Sequence, residues 1–382
     1  MAPPPPPPPP DLMDELIEEF LLRLPPDDPA SLARAALVCR RWRRIISSPC
    51  FRRRLRGLHS PPMLGFLRYI AEATIVSRFV PTSSFRPPRA DRRDMQAIDS
   101  RHGHVLLCSD RCPEGPWENG FLVWDPVTDV DQEVPAPPRC RKYWKWNATV
   151  LCAAARGGGC SHIDCRGQPF LVFFLCASGG KTFACVYSSE AGVWSEHAYD
   201  DERALRFTLW PAVLMDGALH VLSYQLFQQD AMYMIFKYDL ATSGMSEIDV
   251  PDGLRVQEIV MPMSTEDGRL GLTFVEDSRL YLWAREADSQ GVGGWAVSRV
   301  IELELLLPAD ALSESPQVYG FAECAGVIFL WTVNGFYAID LKSDQARKVG
   351  EYNDTVSLVP YESFCLPALG ATSACEGPEA AV

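Results

Sequence analysis

One arrangement of apolar segments and turns occurs five times in this chain of 382 residues. Each copy has an apolar segment, a turn, a second apolar segment, a third segment that ends in an aromatic or acidic turn, and a more polar fourth segment. The copies begin 46 to 63 residues apart and cover Met95–Pro135, Asn147–Tyr199, Trp210–Pro251, Val256–Leu303 and Gln317–Tyr352. Short apolar runs bounded by turn residues are typical of β-strands, so each copy predicts four strands.

A four-stranded unit with this period indicates a blade of a β-propeller. A β-sandwich does not need the same unit five times. Two more strand-like segments lie outside the copies, Thr74–Pro81 before the first and Val356–Phe364 after the last. A blade that combines strands from both ends of the chain closes the ring and removes its open edges. The sequence therefore predicts an all-β propeller of six four-stranded blades over residues 62–366, with seven blades as the alternative.

The copies lack the short motifs of two common propeller classes. No copy pairs Gly-His with Trp-Asp as WD repeats do, and none has a clear double-glycine kelch motif. Trp124-Asp125 is an isolated dipeptide. The propeller prediction therefore depends on the periodicity.

Residues 11–58 have the periodicity of helices. Apolar residues recur at steps of three and four over Met13–Leu24, and acidic residues occupy the positions between them. Pro25-Pro26 ends this first helix, and Ser48-Pro49 marks the start of a last short one. Between them the pattern predicts one helix with a bend near Leu37. The chain thus begins with a small all-α module of three helices.

The net charge of −13 is unevenly distributed. The first 60 residues hold ten Arg, no Lys and seven acids, whereas the other 322 hold 26 basic and 42 acidic side chains. An acidic body of this size repels a phosphate backbone, which weighs against nucleic acid as the main ligand. The arginines around Trp42 lie mostly off the apolar stripe, and we interpret them as a solvated helix face.

Cysteine content and the chain's N-terminus indicate the compartment. The 13 Cys are irregularly spaced, which favours reduced thiols over a disulfide scaffold. Met1-Ala2 is followed by eight prolines, which is not a signal-peptide pattern, and no apolar run approaches the roughly 20 residues of a membrane span. We therefore expect an intracellular protein of the cytoplasm or nucleus without membrane contact. Residues 1–10 and 367–382 are expected to be disordered.

The best candidate for a metal site is "CSHIDC" (Cys160–Cys165), with Cys152 nearby and His162 inside it. Structural zinc sites usually have four ligands in paired spacings, and these spacings are irregular. We interpret the segment as a Gly-rich loop with unliganded thiols. His102 and His104 alternate with strand period, which predicts two side chains on one face of a strand.

No segment shows the pattern of a catalytic or phosphate-binding motif. "SGGKT" (Ser178–Thr182) ends like a phosphate-binding loop, but Leu175 stands where the motif requires glycine, so we predict a hairpin turn. There is no G-x-S-x-G elbow and no HExxH. The sequence predicts a protein that is not an enzyme, with no cofactor, no catalytic residues and no metal site.

The helical module resembles an F-box, a motif of roughly fifty residues. The segment "DLMDELIEEFLLRLPPDDPASLARAALVCRRWRRIISSPCFRRRL" has an acidic, Leu-rich first helix, the "LRLPP" stop, and an ending that follows the F-box order Leu-Val-Cys-basic-x-Trp-basic-x-Ile-x-x-x-Pro-x-Phe almost throughout. It departs at its start, where Pro10-Asp11-Leu12 replaces the usual Leu-Pro. "GHVLLCS", "FLVWDPVTD" and "ACVYSSEAGVWSE" are similar to the F-box-associated β-propeller of plant F-box proteins.

This resemblance implies the substrate-recognition subunit of an SCF-type cullin-RING ubiquitin ligase. In that family the F-box docks on a Skp-type adaptor, the adaptor holds the cullin scaffold, and the second domain binds a target protein. Plain core packing inside the module is the alternative role of Trp42. The adaptor-binding residues that the resemblance implies are Leu12, Leu16, Ile17, Leu24, Pro25, Leu37, Val38 and Trp42.

Two other functions are compatible with this architecture. One is a non-catalytic interaction scaffold without a role in ubiquitylation. The other is a propeller enzyme such as a glycosidase or lyase, which would need acids or His at the ends of inner strands that "FLVFFLC" and "VIFLWTV" do not offer. The sequence does not identify the target. Candidate target-binding loops are Arg111–Gly120, Arg156–Gly167 and Arg285–Gly294, with simple surface loops as the favoured alternative.

Overall fold

Four α-helices, three short 3-10 helices and 25 strands make up the regular structure of the described residues. The computed structural model describes residues 12–71, 75–109, 120–138, 146–157, 165, 167–178, 181–200, 205–227, 230–251, 254, 259–286, 293–351 and 355–365. The segments predicted as disordered, 1–10 and 367–382, lie outside these ranges. So do Cys160, His162 and most of the three candidate loops.

The N-terminal module consists of four helices where the sequence predicts three. They are α1 (Asp14–Leu22), α2 (Pro29–Val38), α3 (Arg40–Ser47) and α4 (Pro49–Leu58). The predicted bend near Leu37 is a full break at Cys39, whose backbone is extended with φ −158° and ψ 165°. The Cys39 Sγ accepts a hydrogen bond from the backbone N–H of Trp42 at 3.4 Å, and this contact caps the start of α3.

The helices pack around one apolar core. Its buried side chains are Ile17, Leu21, Leu22, Leu32, Ala35, Ala36, Ile45, Ile46, Phe51 and Leu55. Phe364, close to the other end of the chain, is buried in the same cluster. The module therefore shares its core with the C-terminal end of the second domain.

The strands form six antiparallel sheets, which confirms the predicted six-bladed propeller. Blade 1 contains β25 (Thr355–Glu362), β1 (Met63–Ala71), β2 (Ile75–Pro81) and β3 (Asp91–Arg93); blade 2 contains β4 (Met95–Arg101), β5 (His104–Ser109), β6 (Phe121–Asp125) and β7 (Val130–Val134); blade 3 contains β8 (Trp146–Cys152), β9 (Phe170–Ser178), β10 (Lys181–Ser188) and β11 (Val193–Asp200).

The other three blades follow the same order. Blade 4 contains β12 (Arg206–Phe207), β13 (Val213–Met215), β14 (Ala218–Phe227), β15 (Asp230–Asp239) and β16 (Met245–Asp249); blade 5 contains β17 (Met261–Ser264), β18 (Leu270–Glu276), β19 (Arg279–Arg285) and β20 (Trp295–Glu302); blade 6 contains β21 (Gln317–Ala322), β22 (Val327–Thr332), β23 (Gly335–Asp340) and β24 (Gln345–Gly350). In blade 4 the first strand is split into β12 and β13, which both pair with β14.

Blade 1 closes the ring with strands from both ends of the domain, as predicted. The C-terminal β25 pairs antiparallel with β1, and Leu67 lies opposite Val359. Because each blade needs its neighbours to bury both faces, this pairing removes the two open edges that an unclosed ring would have. The segments Thr74–Pro81 and Val356–Phe364 correspond to β2 and β25, whereas β1 and β3 carried no strand prediction.

The helical module lies at one edge of the ring. The first strands of the blades are neighbours around the centre and run in the same direction. β25 ends beside the start of β1, where Met63 lies opposite Glu362. The start of β1 closely follows α4, and the end of β25 is closely followed by Phe364. We call this edge, where the first strand of every blade ends, the module rim.

Candidate adaptor interface

One face of α1 is apolar but exposed. Met13, Leu16 and Phe20 are spaced by three and four residues, so their side chains lie on one side of the helix. Leu16 is 52% exposed and Phe20 is 57% exposed. On the adjacent side, Ile17 and Leu21 enter the core of the module. The helix therefore has one apolar stripe for its own core and a second that no described residue covers.

The junction of α2 and α3 extends this surface. Leu37 is 82% exposed and Val38 is also exposed, at the point where Cys39 breaks the helix. Trp42 is partly buried, and its ring lies 6.3 Å from the Phe20 ring, centroid to centroid. This pair joins the α1 side to the α3 side. We call the exposed set Met13, Leu16, Phe20, Leu37 and Val38, together with Trp42, the apolar face.

The predicted adaptor residues have three kinds of surroundings. Five are exposed, namely Leu12, Leu16, Pro25, Leu37 and Val38. Leu24 and Trp42 are partly buried and pack against the module core, so both roles considered for Trp42 are compatible with its position. Ile17 is 5% exposed and lies within the core, where it packs α1 against the rest of the module. Sequence reasoning missed Met13 and Phe20 as surface residues, although they belong to the same three-and-four pattern.

The arginines near Trp42 pair with acids of α1. Arg41 and Arg44 both bind the Asp14 carboxylate, with 2.9 Å between Arg44 Nη2 and Asp14 Oδ2. Arg54 binds Glu18 at 2.8 Å and Glu19 at 3.1 Å. Hydrogen bonding from Arg41 lowers the pKa of the Asp14 carboxyl. These arginines therefore hold the helices of the module together, which does not favour a phosphate-binding surface.

Several contacts attach the module to blade 1. The Ser84 hydroxyl accepts a hydrogen bond from the backbone N–H of Ala30 at 3.3 Å and donates one to Asp28 Oδ1 at 3.1 Å. Phe364 is buried in the module core, and Arg56 lies over its ring. The apolar face is consequently held at a defined position relative to the propeller.

The centre of the ring near the module rim is crossed by charged groups. Arg101, at the end of β4, binds Glu323 at 3.1 Å and donates to the carbonyl oxygen of Ala212 at 2.6 Å. These contacts connect blades 2, 4 and 6. Ion pairing of this kind holds the first strands together across the ring.

Glu362, at the end of β25, has a related role in closing the ring. Its carboxylate accepts hydrogen bonds from the backbone N–H groups of Cys324 at 3.1 Å and Ala325 at 2.7 Å, in the turn after β21. Burial is the largest influence on its acidity and raises the pKa of Glu362 to about 7. The carboxyl therefore joins blade 1 to blade 6.

Two interpretations of short motifs can be compared with the structure. Ser178 lies opposite Lys181 in the β9–β10 pair, which confirms the hairpin predicted for "SGGKT". The prediction for His102 and His104 is wrong, because β4 ends at Arg101 and β5 begins at His104. His102 lies in the turn between them with φ 55°, a left-handed conformation. Strand periodicity does not apply across a turn, so the spacing of the two residues was misleading.

Comparison with known proteins assigns the chain to a family. The F-box domain profile matches residues 10–54. The family described as "F-box protein AT5G49610-like, beta-propeller" matches residues 98–360, which is more than half of the chain. This chain is an F-box protein of that family. Members of such families are typically non-catalytic adaptors, and F-box domains generally bind Skp1-type adaptors.

A curated relative of this F-box protein agrees with the assignment. F-box protein At5g03970 of Arabidopsis thaliana is 27% identical over 137 residues, which are 31% of this chain and 31% of the relative. The chain thus spans about a third of the length of the curated relative that it matches.

Solved structures share only a general likeness with the F-box protein, and TM-scores this low carry no argument about function. The WD40 domain of SCAP from fission yeast has 12% identity and a TM-score of 0.35, covering 68% of this chain and 53% of that one. The AfRom2 CNH domain has 9% identity and a TM-score of 0.36, covering 77% of this chain and 88% of that one. Oligogalacturonate lyase from Vibrio parahaemolyticus has 8% identity and a TM-score of 0.37, covering 76% of this chain and 79% of that one.

The helices of the F-box protein are short. Within the described ranges, none of them has both the length and the apolar character that a membrane span needs.

Proposed function

We propose that this F-box protein is the substrate-recognition subunit of an SCF-type cullin-RING ubiquitin ligase. The F-box docks on a Skp-type adaptor, which links it to a cullin scaffold, and the propeller binds the target protein. The protein itself performs no catalysis. It holds a lysine of the target near the ubiquitin-conjugating enzyme, so transfer of ubiquitin becomes effectively intramolecular.

The exposed apolar face is the observation that supports this proposal most. A module of fewer than 50 residues cannot bury all its apolar surface, and the surplus here is concentrated on one side of α1 and at the α2–α3 junction. Contiguous exposed apolar residues on a soluble protein are typical of protein-binding sites. Aromatic side chains such as Phe20 and Trp42 are common anchors at the centre of such sites.

The attachment of the module supports the proposal in a second way. Because Phe364 and Ser84 fix the F-box to blade 1, an adaptor bound at the apolar face has a defined position relative to the propeller. A fixed distance favours transfer to a bound target.

Co-purification with a Skp-type adaptor tests the docking step. Leu37→Asp and Leu305→Asp form a matched pair, since Leu37 is 82% exposed on the apolar face and Leu305 is 83% exposed on the propeller. We expect the wild-type chain and Leu305→Asp to retain the adaptor at one copy per chain and Leu37→Asp to lose it. Equal retention by all three, or none by the wild type, would contradict the proposal.

The alternative of a scaffold without ubiquitylation requires a separate test. Targets captured by the wild-type chain are incubated with adaptor, cullin, RING subunit, ubiquitin-activating and ubiquitin-conjugating enzymes and ubiquitin. The proposal predicts ubiquitin chains on the captured protein that are absent with Leu37→Asp. Capture without modification by the assembled ligase would favour the scaffold.

A further inference from the structure

An imidazole and two thiols meet at the module rim between blades 2 and 3. The ligand atoms of His102, Cys152 and Cys165 all lie within 4.8 Å of one another. They come from three separate segments: the β4–β5 turn, the last residue of β8, and the connection that leads to β9. Neither the F-box nor the adaptor contact uses them.

The turn that carries His102 has a left-handed backbone. His102-Gly103 is a two-residue turn with φ of 55° and 81°, and the equivalent turn in blade 4 is Asp216-Gly217 with φ of 49° and 70°. Asn and Asp are the side-chain-bearing residues that favour this conformation, because their short polar groups bond locally. All other described non-glycine residues with positive φ are Asp or Ser. His is also enriched in this conformation, and here it places an imidazole in the turn.

One contact of the ring shows which of its nitrogens faces blade 3. His102 Nδ1 accepts a hydrogen bond from the backbone N–H of Cys152 at 3.1 Å. This nitrogen therefore carries no proton and is directed toward the residue that carries one of the thiols, and its lone pair is used by this hydrogen bond. Both cysteines are buried, whereas His102 is partly exposed. The cluster thus has a shielded sulfur side and a side that solvent and ions reach.

We propose that His102, Cys152 and Cys165 bind one Zn²⁺ ion, with water as the fourth ligand on the exposed side. Thiolate and imidazole are the preferred zinc ligands, and tetrahedral coordination needs donor atoms about 3.6–3.8 Å apart, so the donor atoms must approach one another by up to about 1 Å. On binding, both thiols release their protons to solvent, and Nδ1 exchanges the Cys152 hydrogen bond for the metal. The ion would join blade 2 to blade 3, independently of any ligase function.

The test uses full-length protein without an affinity tag, purified under reducing conditions. Metal content is measured by mass spectrometry, and Zn²⁺ affinity is measured by competition with a chromophoric chelator. Co²⁺ replaces Zn²⁺ as a spectroscopic probe, because thiolate ligation to Co²⁺ gives a charge-transfer band. His102→Asn is the decisive variant, since Asn suits the left-handed turn and removes the ligand without disturbing the fold. Cys165→Ala is the second variant.

Cys108→Ala is the matched control, because Cys108 is also buried in blade 2 but lies outside the cluster. We expect one zinc per chain in the wild type and in Cys108→Ala. In His102→Asn and Cys165→Ala, affinity should fall by at least about 100-fold and the Co²⁺ band should weaken or disappear. A metal-free wild type without a Co²⁺ band, metal binding unchanged in His102→Asn, or a Cys152–Cys165 disulfide in the reduced preparation would overturn the proposal.

Discussion

The guanidinium of Arg56, in the last helix of the F-box, lies over the ring of Phe364, with 5.9 Å between Arg56 Cζ and the ring centroid. Phe364 follows β25, the strand that closes the propeller, and its ring is buried in the F-box core. One residue thus belongs to both the ring closure and the helical module. The stability of the module and its position on the propeller are therefore linked.

Phe364→Ala should loosen the module. Removal of a buried aromatic ring costs about 3 kcal/mol, and here the loss falls on the joint between the two domains. We expect a lower urea midpoint for the helical signal and faster proteolysis of residues 59–62 between the domains. Phe364→Leu, which keeps most of the apolar volume, is the control. Wild-type protease resistance in Phe364→Ala would show that the contact does not hold the module.

Phe20→Ala should weaken adaptor binding more than it weakens folding. Phe20 is exposed, and its contact with Trp42 contributes about 1 kcal/mol or less to stability. If it is an anchor of the interface, its loss lowers affinity by at least about tenfold, or about 1.4 kcal/mol. Calorimetric titration with a Skp-type adaptor measures this. Leu58→Ala, at the end of α4 and equally exposed at 61%, should leave affinity unchanged; equal effects of the two changes would contradict the assignment.

Glu362 should make stability fall as pH rises. Its pKa is about 7 in the folded protein and 4.5 when unfolded, so between these values the folded state holds one more proton than the unfolded state. Over that window the free energy of unfolding decreases by up to about 3 kcal/mol and is constant above it. Glu362→Gln removes this dependence, although its amide cannot accept both backbone hydrogen bonds. Urea unfolding at pH 5 and pH 7.5 measures the difference; an unchanged slope in Glu362→Gln would contradict it.

His220 should act with the opposite sign. It is buried in β14 opposite Lys237, and burial, with repulsion from Lys237 as a lesser cause, lowers the pKa of its imidazole from 6.5 to about 4. As pH falls from 6.5 to 4 the unfolded state takes up a proton first, so up to about 3 kcal/mol of stability is lost. His220→Gln should be less sensitive to acid over this window, as followed by urea unfolding at pH 4.5 and 7. Equal acid sensitivity of variant and wild type would refute this origin.

The two titrations act in opposite directions in the wild type. Protonation of Glu362 raises the free energy of unfolding as pH falls below 7. Protonation of His220 in the unfolded state lowers it as pH falls below 6.5. A weak pH dependence of the wild type between pH 5 and 7 is therefore compatible with two large opposite contributions. Each single variant exposes the contribution of the other residue.

The propeller could be predicted because its signal is local and repeated. Five copies of one strand pattern define blades 2 to 6, and the need to close the ring defines blade 1. β3 has three residues and shows no pattern, and β1 has no repeat of its own to align with. The split between β12 and β13, like the helix break at Cys39, depends on packing that a periodicity does not contain.

The candidate site could be predicted only in part. Helical spacing identifies the apolar stripes of α1, but it does not say that Leu16 faces outward and Ile17 inward, because that depends on where α3 and α4 pack. The cluster of His102 and Cys152 joins residues 50 positions apart in two blades. Only the arrangement of blades around the propeller brings them together. The irregular spacing of Cys and His in the loop that contains Cys165 argued against a metal site.

Assembly of the ligase core tests the central claim most directly. The full chain is mixed with a Skp-type adaptor and the N-terminal part of a cullin, and the mass of the product is measured by size-exclusion chromatography with light scattering. Our account predicts a complex of one copy of each, which Leu37→Asp prevents and Leu305→Asp does not. A folded wild-type chain that elutes alone, while adaptor and cullin bind each other, would contradict it.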